Sequence, residues 1–371
     1  MAINIQPIHG TPVQAAVVGY GLSGRVFHSP FLVADSNFAL AAIITSDETR
    51  RAQAKAEHPS ARIYRSFEEL ETSNDPIDLV VIAGPPDSHL DLALRALALG
   101  AAVIVDKPFV ASSAEARQLI DAARGAGRPL MVFQNRRWDG DFLTIRSLVD
   151  SGRLGQVFLF ESNFEYWAPR STDGWKDQLP ASAAGGVAYD LGSHLVDQAL
   201  VLFGPAASVS ARLSTVRAGG GNDDHAEIHL THDSGVVSRL LMSRVSHGKG
   251  PRFRLLGTAG SYISYGLDPQ ESSLVEGALP TDPGFGSTPP SGYGTLTEDS
   301  PAGPVSTRVP TEAGAYAEFY RRAAQAIRGE GPEPVPTAEA LAVVRILERA
   351  ATANELTGGA PEILAPRHRP T

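Results

Sequence analysis

A doubly wound parallel α/β sheet followed by an α+β domain is the architecture this sequence predicts, on three observations. Up to about residue 135, short β-rich runs alternate with helical stretches. Several of those runs are apolar throughout, as parallel strands covered on both faces are. Beyond Trp138 the pattern shifts to polar–apolar alternation, as in His225-Ala-Glu-Ile-His-Leu-Thr231, which suits a sheet with one covered face.

Taken in order, the candidate strands of the first half are Gln14–Val18, Ala39–Ile44, Ala61–Tyr64, Leu79–Ala83, Ala102–Val105 and Leu130–Phe133. Helical patterns lie between them at Ser66–Glu71, His89–Leu99 and Ser112–Ala123, and Ser66 with Glu69 has the spacing of a capping box. Strand–helix alternation with short turns gives the doubly wound sheet. In the second half, Asp141–Val149 and Gly186–Leu202 read as helices. Val157–Glu165, Ala207–Thr215, His225–His232, Val236–Val245 and Phe253–Leu256 read as antiparallel strands. The Gly- and Pro-rich residues 277–310 read as a long loop, before helices over about Glu312–Arg328 and Thr337–Leu356. The expected division is 1–136 and 137–371, without internal repeats.

A length of 371 residues is comfortable for two domains. The absence of cysteine excludes disulfides, thiolate zinc sites and a cysteine nucleophile, and fits a cytoplasmic protein. The N-terminal MAINIQPIHG lacks the basic and apolar regions of a signal peptide. No apolar run approaches the about 20 residues needed to span a bilayer. A net charge of −9 argues against nucleic-acid or anionic-membrane binding. The expected partner is a small molecule.

Gly19-Tyr20-Gly21-Leu22-Ser23-Gly24 follows the first strand and opens a helix. In this G-x-G-x-x-G turn, glycines let the backbone approach a pyrophosphate at a helix N-terminus, so a dinucleotide is the expected ligand. The second strand ends at Thr45 and Ser46, with Arg50 and Arg51 one turn on. Hydroxyls and a guanidinium suit a 2′-phosphate, which favours NADP. The alternative is NAD, with Asp47 as the ribose acid and the arginines on a solvated face.

Ligands of such sheets bind outside the carboxyl ends of the strands. The other tips carry Gly84-Pro85-Pro86, Asp106-Lys107-Pro108 and Asn135-Arg136-Arg137-Trp138, and His89 opens the helix after the fourth strand. Gly84, Pro85, His89, Asp106, Lys107 and Asn135 therefore join the candidate cofactor contacts. Lys107 is either a solvated strand end or a placed catalytic group, because an ammonium is costly to desolvate unless its charge is needed nearby. The accumulation of special residues at the tips favours the second reading.

In the second domain, Asp190 and His194 stand at i, i+4 in Gly186–Leu202 and share one helix face. Such a pair can orient an imidazole for proton transfer, can be structural, or can form half a metal site with no evident third ligand. His225 and His229 would lie on the order of 13 Å apart on a strand, too far to share a metal ion. No metal is expected. Trp167 and Trp175 flank WAPRSTDGWKDQLP, which either lines a pocket or packs.

With GYGLSG, AGPPDSH, VDKPF, QNRRWDGDF and AGGVAYDLGSHLVDQ in this order, the chain resembles the Gfo/Idh/MocA oxidoreductases over nearly its whole length. QNRRWD, GLDPQE and DLGSH resemble the branch containing NADP-dependent scyllo-inositol dehydrogenases. The resemblance implies a Rossmann domain followed by an α/β domain with a large open, mainly antiparallel sheet. That sheet would assemble a homodimer or homotetramer. It also implies that Lys107, Asp190 and His194 are catalytic, with hydride transfer between nicotinamide and a secondary alcohol or ketone of a cyclic polyol or sugar. Arg136, Trp138 and Trp175 are candidates for substrate contact. Asp106 stands where the family usually has glutamate, and Gly84-Pro85-Pro86 replaces the commoner Thr-Pro-Asn. The alternatives are a non-catalytic cofactor-sensing regulator and an NAD-dependent redox-neutral glycoside hydrolase.

Overall fold

The computed structural model describes residues 12–172 and 174–356. Strands β1 (Val13–Val18), β2 (Phe38–Ile44), β3 (Arg62–Tyr64), β4 (Leu79–Ile82), β5 (Ala102–Val105) and β6 (Leu130–Val132) form one parallel sheet. Its order is β3-β2-β1-β4-β5-β6, so the winding reverses between β1 and β4. A reversal of this kind opens a crevice at the carboxyl ends of the strands. Helices α1 (Ser29–Ala34), α2 (Glu48–Glu57), α3 (Phe67–Thr72), α4 (His89–Ala98) and α5 (Ser113–Ala126) alternate with the strands. Both faces of the sheet are covered: Val13, Ala15 and Val17 enter one apolar core, Ala16 and Val18 the other. That is why these strands show no alternation. Ser66 accepts from the Glu69 N–H at the start of α3, and Ser112 and Glu115 form a complete capping box on α5.

The second half contains α6 (Gly140–Asp150), β7 (Val157–Glu165), α7 (Trp175–Gln178), α8 (Val187–Asp190), α9 (Gly192–Phe203), β8 (Ala206–Ser214), β9 (His225–His232) and β10 (Val237–Ser243). It continues through β11 (Phe253–Gly257), β12 (Gly260–Ser264), α10 (Gln270–Val275), β13 (Gly294–Glu298) and β14 (Val305–Val309). The chain then forms α11 (Ala317–Ile327) and α12 (Thr337–Leu356). The eight strands order as β14-β13-β12-β11-β7-β10-β9-β8. Every neighbouring pair is antiparallel except β7 with β10. On β9, Ala226, Ile228 and Leu230 are buried in the core while Glu227 and His229 are exposed, the alternation read from the sequence.

Two expectations are corrected. Residues 277–310 are not a plain loop, because β13 and β14 lie within them. An edge strand has no covered face to impose alternation, and β14 is exposed along most of its length, so Val305–Val309 carries no apolar period. The helix expected over Gly186–Leu202 is broken at Leu191 into α8 and α9. After the second sheet the chain returns to the first: Tyr316, Phe319, Tyr320 and Ala323 pack beside Phe31 and Phe133, and the Phe31 and Tyr320 rings stack at 5.3 Å.

Candidate active site

The first half of the site is the turn between β1 and a π-helical segment, Ser23–His28, that runs into α1. Gly19 has φ +94, and a Cβ there would lie 2.9 Å from the Ala83 carbonyl oxygen. A Cβ on Gly24 would lie 1.9 Å from the Gly19 carbonyl oxygen. Both positions are glycine for close packing. Gly21 differs, because the nearest atom to its added Cβ is Arg50 Nη1 at 3.6 Å. Its open side, facing a guanidinium, fits a dinucleotide phosphate. Leu22 and Ser46 are exposed beside this turn, and Thr45 is buried at the tip of β2.

The end of β2 distributes its charges unevenly. The Asp47 carboxylate caps α2, accepting from the Arg50 N–H at 2.8 Å. Arg51 Nη1 donates to the Ser46 carbonyl at 2.6 Å. Arg50 is thus the arginine turned to the glycine turn.

Behind the β4 tip, His89 is fully buried and lies between main-chain carbonyls. Its Nε2 is 3.0 Å from the Gly84 oxygen, and its Nδ1 is 3.1 Å from those of Pro108 and Phe109. It joins the Gly84-Pro85 loop to the Lys107 turn. Asp106 couples the same turn to the glycines: Oδ2 accepts from Ser23 Oγ at 2.5 Å, and Oδ1 accepts from the Lys107 N–H at 2.7 Å.

The Lys107–Pro108 peptide is cis. Lys107 Nζ donates to the Asp190 main-chain oxygen at 2.9 Å and to Asp190 Oδ1 at 3.0 Å. Lys176 Nζ lies 3.2 and 3.3 Å from the two carboxylate oxygens, and Arg244 Nη2 donates to Oδ2 at 2.7 Å. Arg244 also donates to Asp177 Oδ1, which accepts from Arg217, and Arg217 Nε donates to Asp224. Burial raises the proton affinity of Asp190, but Lys107, Lys176 and Arg244 outweigh it and hold the carboxyl well below the usual range. Asp190 is therefore an anion fixed by cations.

His194 is buried, and its Nδ1 has no hydrogen-bond partner. Burial lowers its proton affinity, and Lys107 and Arg136 lower it further, leaving a neutral imidazole well below its ordinary range. Leu191 interrupts the expected helix, so Asp190 ends α8 and His194 lies on α9, while the Asp190 carboxylate pairs with Lys107, Lys176 and Arg244.

The remaining candidates divide. Asn135 is buried at the end of β6. Arg136 is buried in ion pairs with Asp139 and Glu271, its guanidinium 4.8 Å from the Phe164 ring centre. Trp138 is not brought to the Lys107 cluster. It packs against Phe319 and faces a separate cavity of about 900 Å³ lined also by Arg137, Asp197 and Glu339. Trp175 begins α7, but its side chain lies outside the described residues. Trp167 is half exposed against His247. No group of three or more His, Asp or Glu among the described residues is placed to hold a metal ion.

Lys176, Asp177, Arg217 and Arg244 escaped the sequence reading. Arg244 carried a usable signal, the same one as Lys107: a charge ending an apolar strand, here Leu-Leu-Met-Ser-Arg.

Comparison with known proteins assigns the chain to a family. Residues 13–134 match the model of the oxidoreductase family with an NAD-binding Rossmann fold, and residues 142–263 match the GFO/IDH/MocA C-terminal domain. The chain belongs to the Gfo/Idh/MocA family of oxidoreductases. Among similar proteins, the uncharacterized oxidoreductase YdgJ of Escherichia coli is 36% identical, over 91% of this chain and 94% of its own. The scyllo-inositol 2-dehydrogenase (NADP(+)) IolW of Bacillus subtilis is 34% identical, over 91% and 92%. The solved structure of the YvaA oxidoreductase from Bacillus subtilis superposes with a TM-score of 0.88 at 32% identity, covering 93% of this chain and 97% of that one. This Gfo/Idh/MocA member is accordingly an NAD(P)-binding oxidoreductase.

Proposed function

We propose that this enzyme interconverts a secondary alcohol and a ketone on a cyclic polyol or sugar of the inositol type, with NADP favoured over NAD. The observation that carries the reading is Lys107 held against Asp190 at the crevice, beside the neutral, buried His194. When bound, the nicotinamide dinucleotide accepts or returns a hydride. Gly21 and Ser23 would hold its pyrophosphate, with Thr45, Ser46 and Arg50 at the ribose and its 2′-phosphate.

The chain's residues handle the oxygen. Oxidising a carbinol requires its hydroxyl to lose a proton, and the unprotonated His194 is the acceptor. Lys107 rests on Asp190 through two N–H contacts and turns from it toward the developing oxyanion. Asp190 sets the direction of Lys107 and takes a neighbouring substrate hydroxyl. NADP is supported by Asp47 being committed to the α2 cap while Arg50 faces Gly21. It agrees with the cofactor in the name of the Bacillus subtilis relative. A polyol or sugar is also the kind of substrate in the name of a D-apiose dehydrogenase, 31% identical over 54% of this chain. A homodimer or homotetramer through the exposed face of the second sheet is part of the proposal. Glu161, Arg239 and Arg254 form an ion-paired cluster on that face.

The test is nicotinamide absorbance with NADP⁺ or NAD⁺ and a panel of inositols and sugars. A polyol-dependent rise that His194→Ala abolishes supports the proposal. Dinucleotide binding without turnover on any polyol would point to a sensor instead. Product formed without net reduction would mark redox-neutral cleavage.

A further inference from the structure

We propose that Lys176 is a positioning residue that takes over the Asp190 carboxylate when Lys107 turns to the reacting oxygen. The inference rests on the role given to Lys107 above and adds the group that lets it move.

Lys107 and Lys176 share one acceptor atom, Asp190 Oδ1, at 3.0 and 3.2 Å. Two ammonium nitrogens on one oxygen lie within about 6 Å of each other and repel. The main chain under Lys176 is built into the domain. The Lys176 main-chain oxygen accepts from Asn222 Nδ2 at 3.1 Å, and Asn222 also donates to the Leu179 carbonyl at 2.9 Å. The next residue, Asp177, anchors Arg217 and Arg244. Arg244 in turn fixes Asp190 Oδ2. The carboxylate therefore stays where it is when Lys107 leaves, and Lys176 reaches both of its oxygens.

Exposure separates the two lysines further. The Lys107 side chain is 19% exposed and that of Lys176 46%. Lys107 is the more buried of the two and lies at the crevice. Without Lys176, Asp190 would rely on Lys107 and Arg244, and Lys107 would be held more tightly away from substrate.

The experiment uses the full chain with Lys176→Met, Lys176→Arg, Lys107→Met and the Lys107→Met/Lys176→Met double variant. The expected result is a loss of roughly tenfold or more in kcat/KM for Lys176→Met, largely restored in Lys176→Arg. In the Lys107→Met background the same change should cost less than about twofold. An additive double variant, or an unchanged Lys176→Met, overturns the proposal. A second arm needs no turnover: site-resolved labelling of Lys107 by an amine-directed reagent at mildly alkaline pH. Without the neighbouring cation Lys107 should sit more firmly on Asp190 and label several-fold more slowly. Equal or faster labelling overturns the proposal. If the wild-type protein turns over no polyol, the functional reading fails and the labelling arm alone decides the link between the lysines.

Discussion

Lys107 donates to both the main-chain oxygen and the carboxylate of Asp190, at 2.9 and 3.0 Å, so one side chain joins the tip of β5 to the end of α8. The break at Leu191 makes this possible. His194 N–H bonds to the Leu191 carbonyl, which leaves the Asp190 carbonyl for the lysine. Asp106 then ties the same turn to Ser23 of the glycine loop. Three segments distant in sequence thus meet around one ammonium.

If that ammonium stabilises the reacting oxygen, Lys107→Met should lower turnover by about 10²–10⁴. Dinucleotide affinity should stay within about twofold. Initial rates and cofactor-dependent thermal shifts measure the two separately, and unchanged turnover would remove Lys107 from the mechanism.

Arg50 faces Gly21 while Arg51 is occupied by Ser46. Arg50→Ser should weaken NADP binding by roughly 10- to 100-fold, the range expected for charged hydrogen bonds, and leave NAD nearly unaffected. Calorimetric titration with both dinucleotides checks it. Equal losses for the two would assign Arg50 to the shared pyrophosphate.

The glycines of the turn should separate stability from binding. A Cβ on Gly24 meets main-chain oxygen at 1.9 Å, so Gly24→Ala should destabilise by about 1–3 kcal/mol or more. Gly21→Ala meets only the end of Arg50 at 3.6 Å, so the fold should survive while dinucleotide affinity falls. Urea unfolding and titration of both variants test the contrast.

His28 is wholly buried, and burial lowers its pKa to about 4 despite the opposing charge of Asp106. Above the unfolded value of about 6.5, the ring is neutral in both states and contributes no pH dependence. Below it the unfolded chain binds the proton first. Stability should therefore fall by about 3 kcal/mol from this group as pH drops from about 6.5 to 4. Asp268 acts in the opposite sense. Burial, then Asp139 and Asp141, push it up to about 7, so its contribution is lost as pH rises toward neutrality. The difference between wild type and His28→Gln, followed by denaturant unfolding across this range, isolates the histidine. Parallel curves would show that His28 does not titrate as buried.

Local chemistry was enough to place the first sheet, the glycine turn and the lysine at a strand tip. Period, turn residues and a charge at the end of an apolar run are properties of neighbouring residues. It also marked Asp190 and His194, but not the interruption at Leu191, where the Asp190 carbonyl is left to Lys107. The chain did not announce that Asp190 would gather Lys107, Lys176 and Arg244, because residues so distant along the sequence meet only after both sheets form. Trp138 looked like cleft wall by its position after β6, yet its apolar surface found the α11 aromatics instead. Strands β13 and β14 were hidden within a Gly- and Pro-rich stretch, and the exposed edge strand β14 carries no apolar pattern to read. Hydrophobic periodicity and turn chemistry are written along the chain. Ion pairing and the choice of packing partner are decided in space, where burial makes each unpaired charge costly.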